Sequence, residues 1–117
     1  MASSGLRGPF TLNQTTIDKE VASVSAGAYA LGQDDAAGTT FYIDYVGRSD
    51  SDVNARLKSH VGKHRQFKYE YYSSPKAAFE KECRLWHDFG APPKDNAVHP
   101  ARPTNSGWKC PVCPVFD

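Results

Sequence analysis

Long hydrophobic runs are missing from this 117-residue chain, and nothing in it is apolar for long enough to span a bilayer. The N-terminal Met1-Ala2-Ser3-Ser4-Gly5 likewise opens no apolar run of the kind that a signal peptide carries. Together these absences lead to the expectation of a cytoplasmic protein with no membrane partner, nucleoid-associated if its source is bacterial. Cysteine is scarce: three residues, an odd number, cannot all pair within one chain as a disulfide framework. A large charge of one sign is also lacking. The formal net charge of +1 excludes the strongly basic balance that announces nucleic-acid binding by itself. No internal repeat is visible.

What is present suffices for one globular domain with a modest core, burying about two-thirds of the surface of the unfolded chain. Charge is unevenly placed within it. Arg48, Arg56, Lys58, Lys63, Arg65 and Lys68 fall close together, with His60 and His64 among them. Such a run is either a solvated face or a surface for an anionic partner.

Residues 1–24 are polar and weakly patterned and read as an N-terminal extension. Within it, Pro9-Phe10-Thr11-Leu12 forms a short extended piece, and Thr16 to Val21 a short helix capped by Thr15 or Thr16. Gly27 to Leu31 and Thr39 to Val46 are rich in β-branched or aromatic residues, and a polar, glycine-containing stretch separates them. That pattern predicts an antiparallel hairpin with a longer loop. A turn at Gly47 to Asp50 leads into a helix predicted over Ser51 to Val61, capped by Ser49 or Asp50, with Val53, Leu57 and Val61 as its apolar stripe. Phe67, Tyr69 and Tyr71 alternate with Lys68, Glu70 and Tyr72, which predicts a third strand with one buried face. Ser74 and Pro75 open a second helix, which runs to Phe89 and stops at Gly90. From about Ala91 the chain is rich in Pro, Gly and Asn and has no periodicity. The expected fold class is a small α+β domain, a three-stranded antiparallel sheet flanked by helices, with residues 97–117 as a tail packed on it.

At one hundred degrees per residue, Ala78, Phe79, Leu85, Trp86 and Phe89 form one apolar arc on the second long helix, and Glu82 falls in its middle. A carboxylate facing a core must be paired with a cation, a metal or several donors. Two readings follow: a buried ion pair holding the helix, or a metal ligand at the floor of a site. On the preceding helix, Arg56 and His60 share a flank. The first suits a phosphate as a fixed bidentate charge, the second as a proton shuttle or donor.

Cys110 and Cys113 have the Cys-x-x-Cys spacing of a knuckle that supplies half of a structural zinc site, and a closed site needs four ligands. Cys83 and His87, four apart on the second helix, can complete it on one face, with His99 as the rival for the histidine position. A Cys83/His87/Cys110/Cys113 zinc site would give the tail a reason to be ordered and would stiffen the helix bearing Glu82.

Gly27-Ala28-Tyr29 and Tyr45-Val46-Gly47 resemble the two strand motifs that name the GIY-YIG nuclease superfamily, each departing from its triplet by one apolar replacement of Ile. A helix bearing an arginine follows the second triplet in that family, and Arg56 falls there; His60 matches a residue one turn later. Glu82, with Leu85-Trp86 after it, resembles the glutamate of the family's later helix, and Asn96 matches an asparagine beyond that helix. The likeness spans residues 25–96 and lies in the order of the motifs more than in any one of them.

What the resemblance implies is a metal-dependent endonuclease cutting phosphodiester bonds in DNA. Glu82 would hold one Mg²⁺ (or Mn²⁺), and Arg56 would contact the scissile phosphate. Tyr29 or Tyr45 would position or deprotonate the attacking water, with His60 assisting. Arg48, Lys58, Lys63, Arg65 and Asn96 are candidates for contacting the substrate. The likeness leaves open the substrate's structure and whether specificity comes from a protein partner or a homo-oligomer. Two other functions are compatible with the same fold. One is a nucleic-acid-binding module that does not cut; the other is a zinc-stapled interaction domain presenting Phe67, Tyr69 and Tyr71 to a protein.

Overall fold

A computed structural model describes residues 5–34, 40–89, 100–102 and 106–113. Its elements run β1 (Arg7–Thr11), α1 (Gln14–Glu20), β2 (Gly27–Asp34), β3 (Phe41–Ser49), α2 (Val53–Lys58), β4 (Gln66–Tyr71) and α3 (Pro75–Asp88). The class is α+β as expected, but the sheet has four antiparallel strands rather than three, in the order β1-β4-β2-β3.

The fourth strand comes from the polar N-terminal stretch. Pro9 cannot serve a central ladder, and β1 takes the sheet's outer edge, where a missing N–H is tolerated; its register shifts between Arg7 and Phe10. What draws it there is aromatic packing. The Phe10 ring lies 5.5 Å from Phe67 and 6.1 Å from Tyr69, and Arg7 makes two contacts of 3.0 Å with the Glu70 carboxylate. β1 thereby covers the edge of β4 that the hairpin leaves unpaired.

Alternation along β2 separates the two faces of the sheet. Tyr29 and Leu31 point into one core with Leu12, Ile17, Val21, Val53, Leu57, Phe67 and Tyr69, roofed by α1 and α2. Ala28 and Ala30 point the other way, where with Val46 they meet Leu85 of α3. Small side chains on that face let α3 come close to the sheet.

Helix limits depart from the sequence reading for local reasons. Asn13 caps α1, not Thr15 or Thr16: its carbonyl oxygen accepts from the Thr16 N–H at 2.8 Å. Asp52 caps α2, not Ser49 or Asp50, because the Ser49 hydroxyl accepts from the N–H groups of Ser51 and Asp52 and holds residues 50–52 in a turn ahead of the helix. At its other end α2 stops at Lys58. His60 N–H then bonds to Leu57 and Val61 N–H to Lys58, the tighter i→i−3 pattern, before Gly62 turns with positive φ. Val61, expected on the apolar stripe, is consequently exposed. α3 begins as predicted, with Ser74 accepting from the Ala77 N–H at 3.1 Å and Pro75 in the first turn.

Candidate active site

β3 is the edge strand opposite β1, and a cleft of about 420 Å³ runs along it. Tyr29, Tyr45 and Arg56 reach this cleft from the α2 side of the sheet, and Arg48 and Glu82 from the α3 side; Asp50, just past the end of β3, lines it as well. The site thus straddles the last strand. Gly47 makes this possible, since a Cβ there would stand 2.4 Å from the Tyr29 hydroxyl oxygen and 2.5 Å from its ring carbon. The glycine of the second triplet is a slot for the tyrosine of the first.

Tyr29 is fully buried, and its hydroxyl lies 2.8 Å from His60 Nε2. The Tyr45 ring stacks against Tyr29 at 6.4 Å and stands 5.1 Å from His60. Burial pushes the Tyr29 phenol well above its ordinary range, Tyr45 adds to this, and Arg56 pulls the other way. Burial, followed by the charges of Arg56, Lys63 and His64, pushes His60 down to about 4. Near neutral pH the pair is therefore a phenol facing a neutral imidazole. In the tautomer with its proton on Nδ1, His60 accepts the hydrogen bond from Tyr29.

On the other side of β3, Arg48 Nη1 donates to Glu82 Oε1 at 2.6 Å, and Nε donates to Asp50 at 3.0 Å. The Arg48 guanidinium also lies 5.0 Å from the centre of the Phe79 ring. Burial raises the Glu82 carboxyl above its ordinary range, and Arg48 counters it. Burial likewise opposes the charge on Arg48, but the two carboxylates outweigh that and raise it. Both shifts describe one largely desolvated ion pair, held by a 2.6 Å contact.

No family model matches the chain, and neither does any curated protein or solved structure.

Of the residues singled out from sequence, Tyr29, Tyr45, Arg56 and Glu82 line one cleft, with His60 behind Tyr29. Arg48 also lines it but is bound to Glu82 and Asp50. Lys58 is tied to Asp18 of α1 at 2.6 Å, and Lys63 and Arg65 are exposed in the turn before β4. Asn96 and His99 lie outside the described residues. Asp50 is a cleft residue that sequence reasoning missed by assigning it to a helix cap. The signal was there, since Val53 starts the buried stripe and Asp52 stands immediately before it. Phe67 and Tyr69 are buried beneath the helices and present no surface to a protein partner.

Beside the cleft, the ligand atoms of His87, Cys110 and Cys113 all lie within 4.8 Å of one another, an arrangement compatible with one metal ion. Cys83, the fourth ligand expected from sequence, falls outside that group; it is fully buried and packs with Phe79 and Cys110. Burial pushes its thiol up, and Cys110 adds to the shift. No helix among the described residues is long and apolar enough to cross a membrane.

Proposed function

We propose that the chain is a metal-dependent endonuclease that hydrolyses phosphodiester bonds in DNA, with the cleft along β3 as its active site. The observation that carries this reading is the convergence of Tyr29, Tyr45, Arg56 and Glu82, drawn from four separate elements, on one polar cleft. These are the residues that the likeness to GIY-YIG nucleases singles out.

The donor set suits a hard divalent ion. Glu82 and Asp50 offer carboxylate oxygens to the same cleft, and Mg²⁺ is commonly held by one or two carboxylates together with waters and substrate phosphate. Bound there, Mg²⁺ or Mn²⁺ would supply neutralisation of charge on the phosphoryl oxygens. Everything else falls to the protein. Arg56 is a permanent cation at the cleft wall, fitted to hold the scissile phosphate and to stabilise the charge that develops on it. Tyr29 and His60 form a relay for the water's proton. As the water oxygen bonds to phosphorus and the ester P–O bond breaks, the water gives a proton to the Tyr29 oxygen, Tyr29 passes its own to His60 Nε2, and the leaving alkoxide takes a proton from solvent in the cleft. This removes the difficulty of using a buried phenol as a base, because no free phenolate forms. A phosphate in the cleft also gives Arg48 an anionic partner other than Glu82.

The soft ligands beside the cleft suit a different ion. Two thiolates and an imidazole fit Zn²⁺ in a structural role, holding the tail against α3.

One observation favours a second reading. The Arg48–Glu82 pair is also what a purely structural ion pair looks like, and a nucleic-acid-binding module with no cutting activity would keep it. A nicking assay separates the two. Supercoiled plasmid and a branched DNA junction are incubated with wild type, Glu82→Ala and Arg56→Ala in Mg²⁺, Mn²⁺ or EDTA. Wild type should cut only with the divalent ion. Arg56→Ala should be slower by about 100-fold or more, and Glu82→Ala should bind DNA without cutting it. Equal cleavage by Glu82→Ala would remove its role as metal ligand; binding without cleavage by wild type would favour the non-cutting module.

A further inference from the structure

The three atoms that lie within 4.8 Å of one another leave one position of a tetrahedron to be filled. Three protein ligands and a water make an open, reactive zinc site, whereas four protein ligands make a closed, structural one. The choice turns on what stands at the fourth position.

Cys83 is one helical turn before His87 on α3, so both side chains rise from one face of that helix. It is fully buried and packs with Cys110, whereas His87 and Cys113 are only half-buried. Cys83 thus borders the cluster on its buried side, beside Phe79 and Cys110, with its sulfur outside the group of three, so that an ion would have to draw it in. We infer that Cys83 is the fourth ligand and that the chain holds one zinc ion in a closed Cys83/His87/Cys110/Cys113 site. The inference rests on reading the cluster as a zinc site, and it is independent of the nuclease reading.

The location of the site gives it a consequence for the cleft. Two ligands belong to α3 and two to the tail, so the ion would clamp these two segments together. Around the clamp, Trp108 packs on the Phe79 ring at 5.7 Å, and Arg102 donates to the Trp108 carbonyl at 2.7 Å. Ala101, next to Arg102, forms part of the cleft wall, and Phe79 carries the Arg48 guanidinium on its ring. One wall of the cleft is thus tied to the helix that bears Glu82.

The test is X-ray absorption at the zinc edge on the full-length protein loaded with zinc alone. The expected first shell is three sulfurs at about 2.3 Å and one nitrogen at about 2.0–2.1 Å. Cys83→Ser should lower that count to two sulfurs and weaken zinc binding by more than about tenfold, since even groups that only support a ligand contribute that much. Two sulfurs in the wild-type protein, or an unchanged spectrum and affinity in Cys83→Ser, would overturn Cys83 as a ligand. Failure of the wild-type protein to retain zinc, or a Cys83–Cys110 disulfide in its place, would overturn the site as a whole. Neither result decides whether the chain cuts DNA, which the Glu82→Ala assay reads separately.

Discussion

At Gly47 any side chain would strike the fully buried Tyr29 ring, which is held by the core around Leu31, Val53 and Leu57. Gly47→Ala should therefore cost stability at or above the upper end of the range of about 1–3 kcal/mol usual for overpacked cores. Cleavage should fall with it, because the tyrosine would be driven off His60. A urea midpoint and activity both equal to wild type would contradict this close fit. His60 makes a different prediction. Unfolded, it takes up a proton near its ordinary pKa of 6.5; folded, it does so only near 4. Between these values the unfolded chain binds more protons, so stability falls as pH drops from about 6.5 towards about 4, and the contribution is fully present above that window. Urea midpoints measured near pH 7 and near pH 5 should show His60→Asn losing less stability on acidification than wild type does. An identical loss in the two proteins would show that His60 is not held neutral.

At the scale of elements, α3 does most to join the fold to the site. Its start is fixed by Ser74 and Pro75, its buried face by Ala78, Phe79 and Leu85, and its one buried carboxylate lies two turns in from the cap. The N-cap and Glu82 should therefore be separable. Ser74→Ala leaves the Ala77 N–H without its acceptor and should lower stability by about 1 kcal/mol. The turn carrying Glu82 stays packed on the sheet, so cleavage under native conditions should be nearly unchanged. A large loss of activity at constant fold would mean that the helix end reaches the cleft in a way its position does not suggest. β1 plays the corresponding role for the sheet: it makes β4 a central strand and leaves β3 as the opposite edge strand, next to the cleft.

Over the whole molecule, a domain of this size has a limited core, and its tail carries no helix or strand among the described residues. If the tail holds the proposed zinc ion, removing it should be felt globally. Stripping zinc with a strong chelator should lower the melting temperature by at least about 5 °C, a shift equivalent to about 1 kcal/mol in a small domain. A melting curve indifferent to chelation would mean that the tail is held without a metal, by contacts such as those of Trp108 and Arg102. Charge is also a whole-molecule property. With a net charge of only +1, the proposed contact with DNA would have to be local. Arg56 and Lys63 are the cations whose charge is felt at His60, and the proposed contact would fall there.

The sequence by itself determined the elements whose signals are local. The alternation of Phe67 and Tyr69, the cap-and-proline start of α3 and the two triplets around Tyr29 and Tyr45 each depend on neighbours within a few residues. Glu82 was also legible, because an acidic residue inside an apolar helical arc is anomalous wherever the helix packs. Tertiary structure decided what depends on distant partners. β1 is a strand only because Phe10 meets Phe67 and Tyr69 across the sheet, more than fifty residues away. Arg48, one more cation in a basic stretch, becomes the partner of Glu82 only when β3 and α3 pack together. Cys83 and Cys110 meet only when the tail folds back onto α3. Local patterns follow from backbone geometry over a turn or a pleat. The partner of a buried charge or a buried thiol is set by which surfaces the fold presses together, and that information is spread over the whole chain.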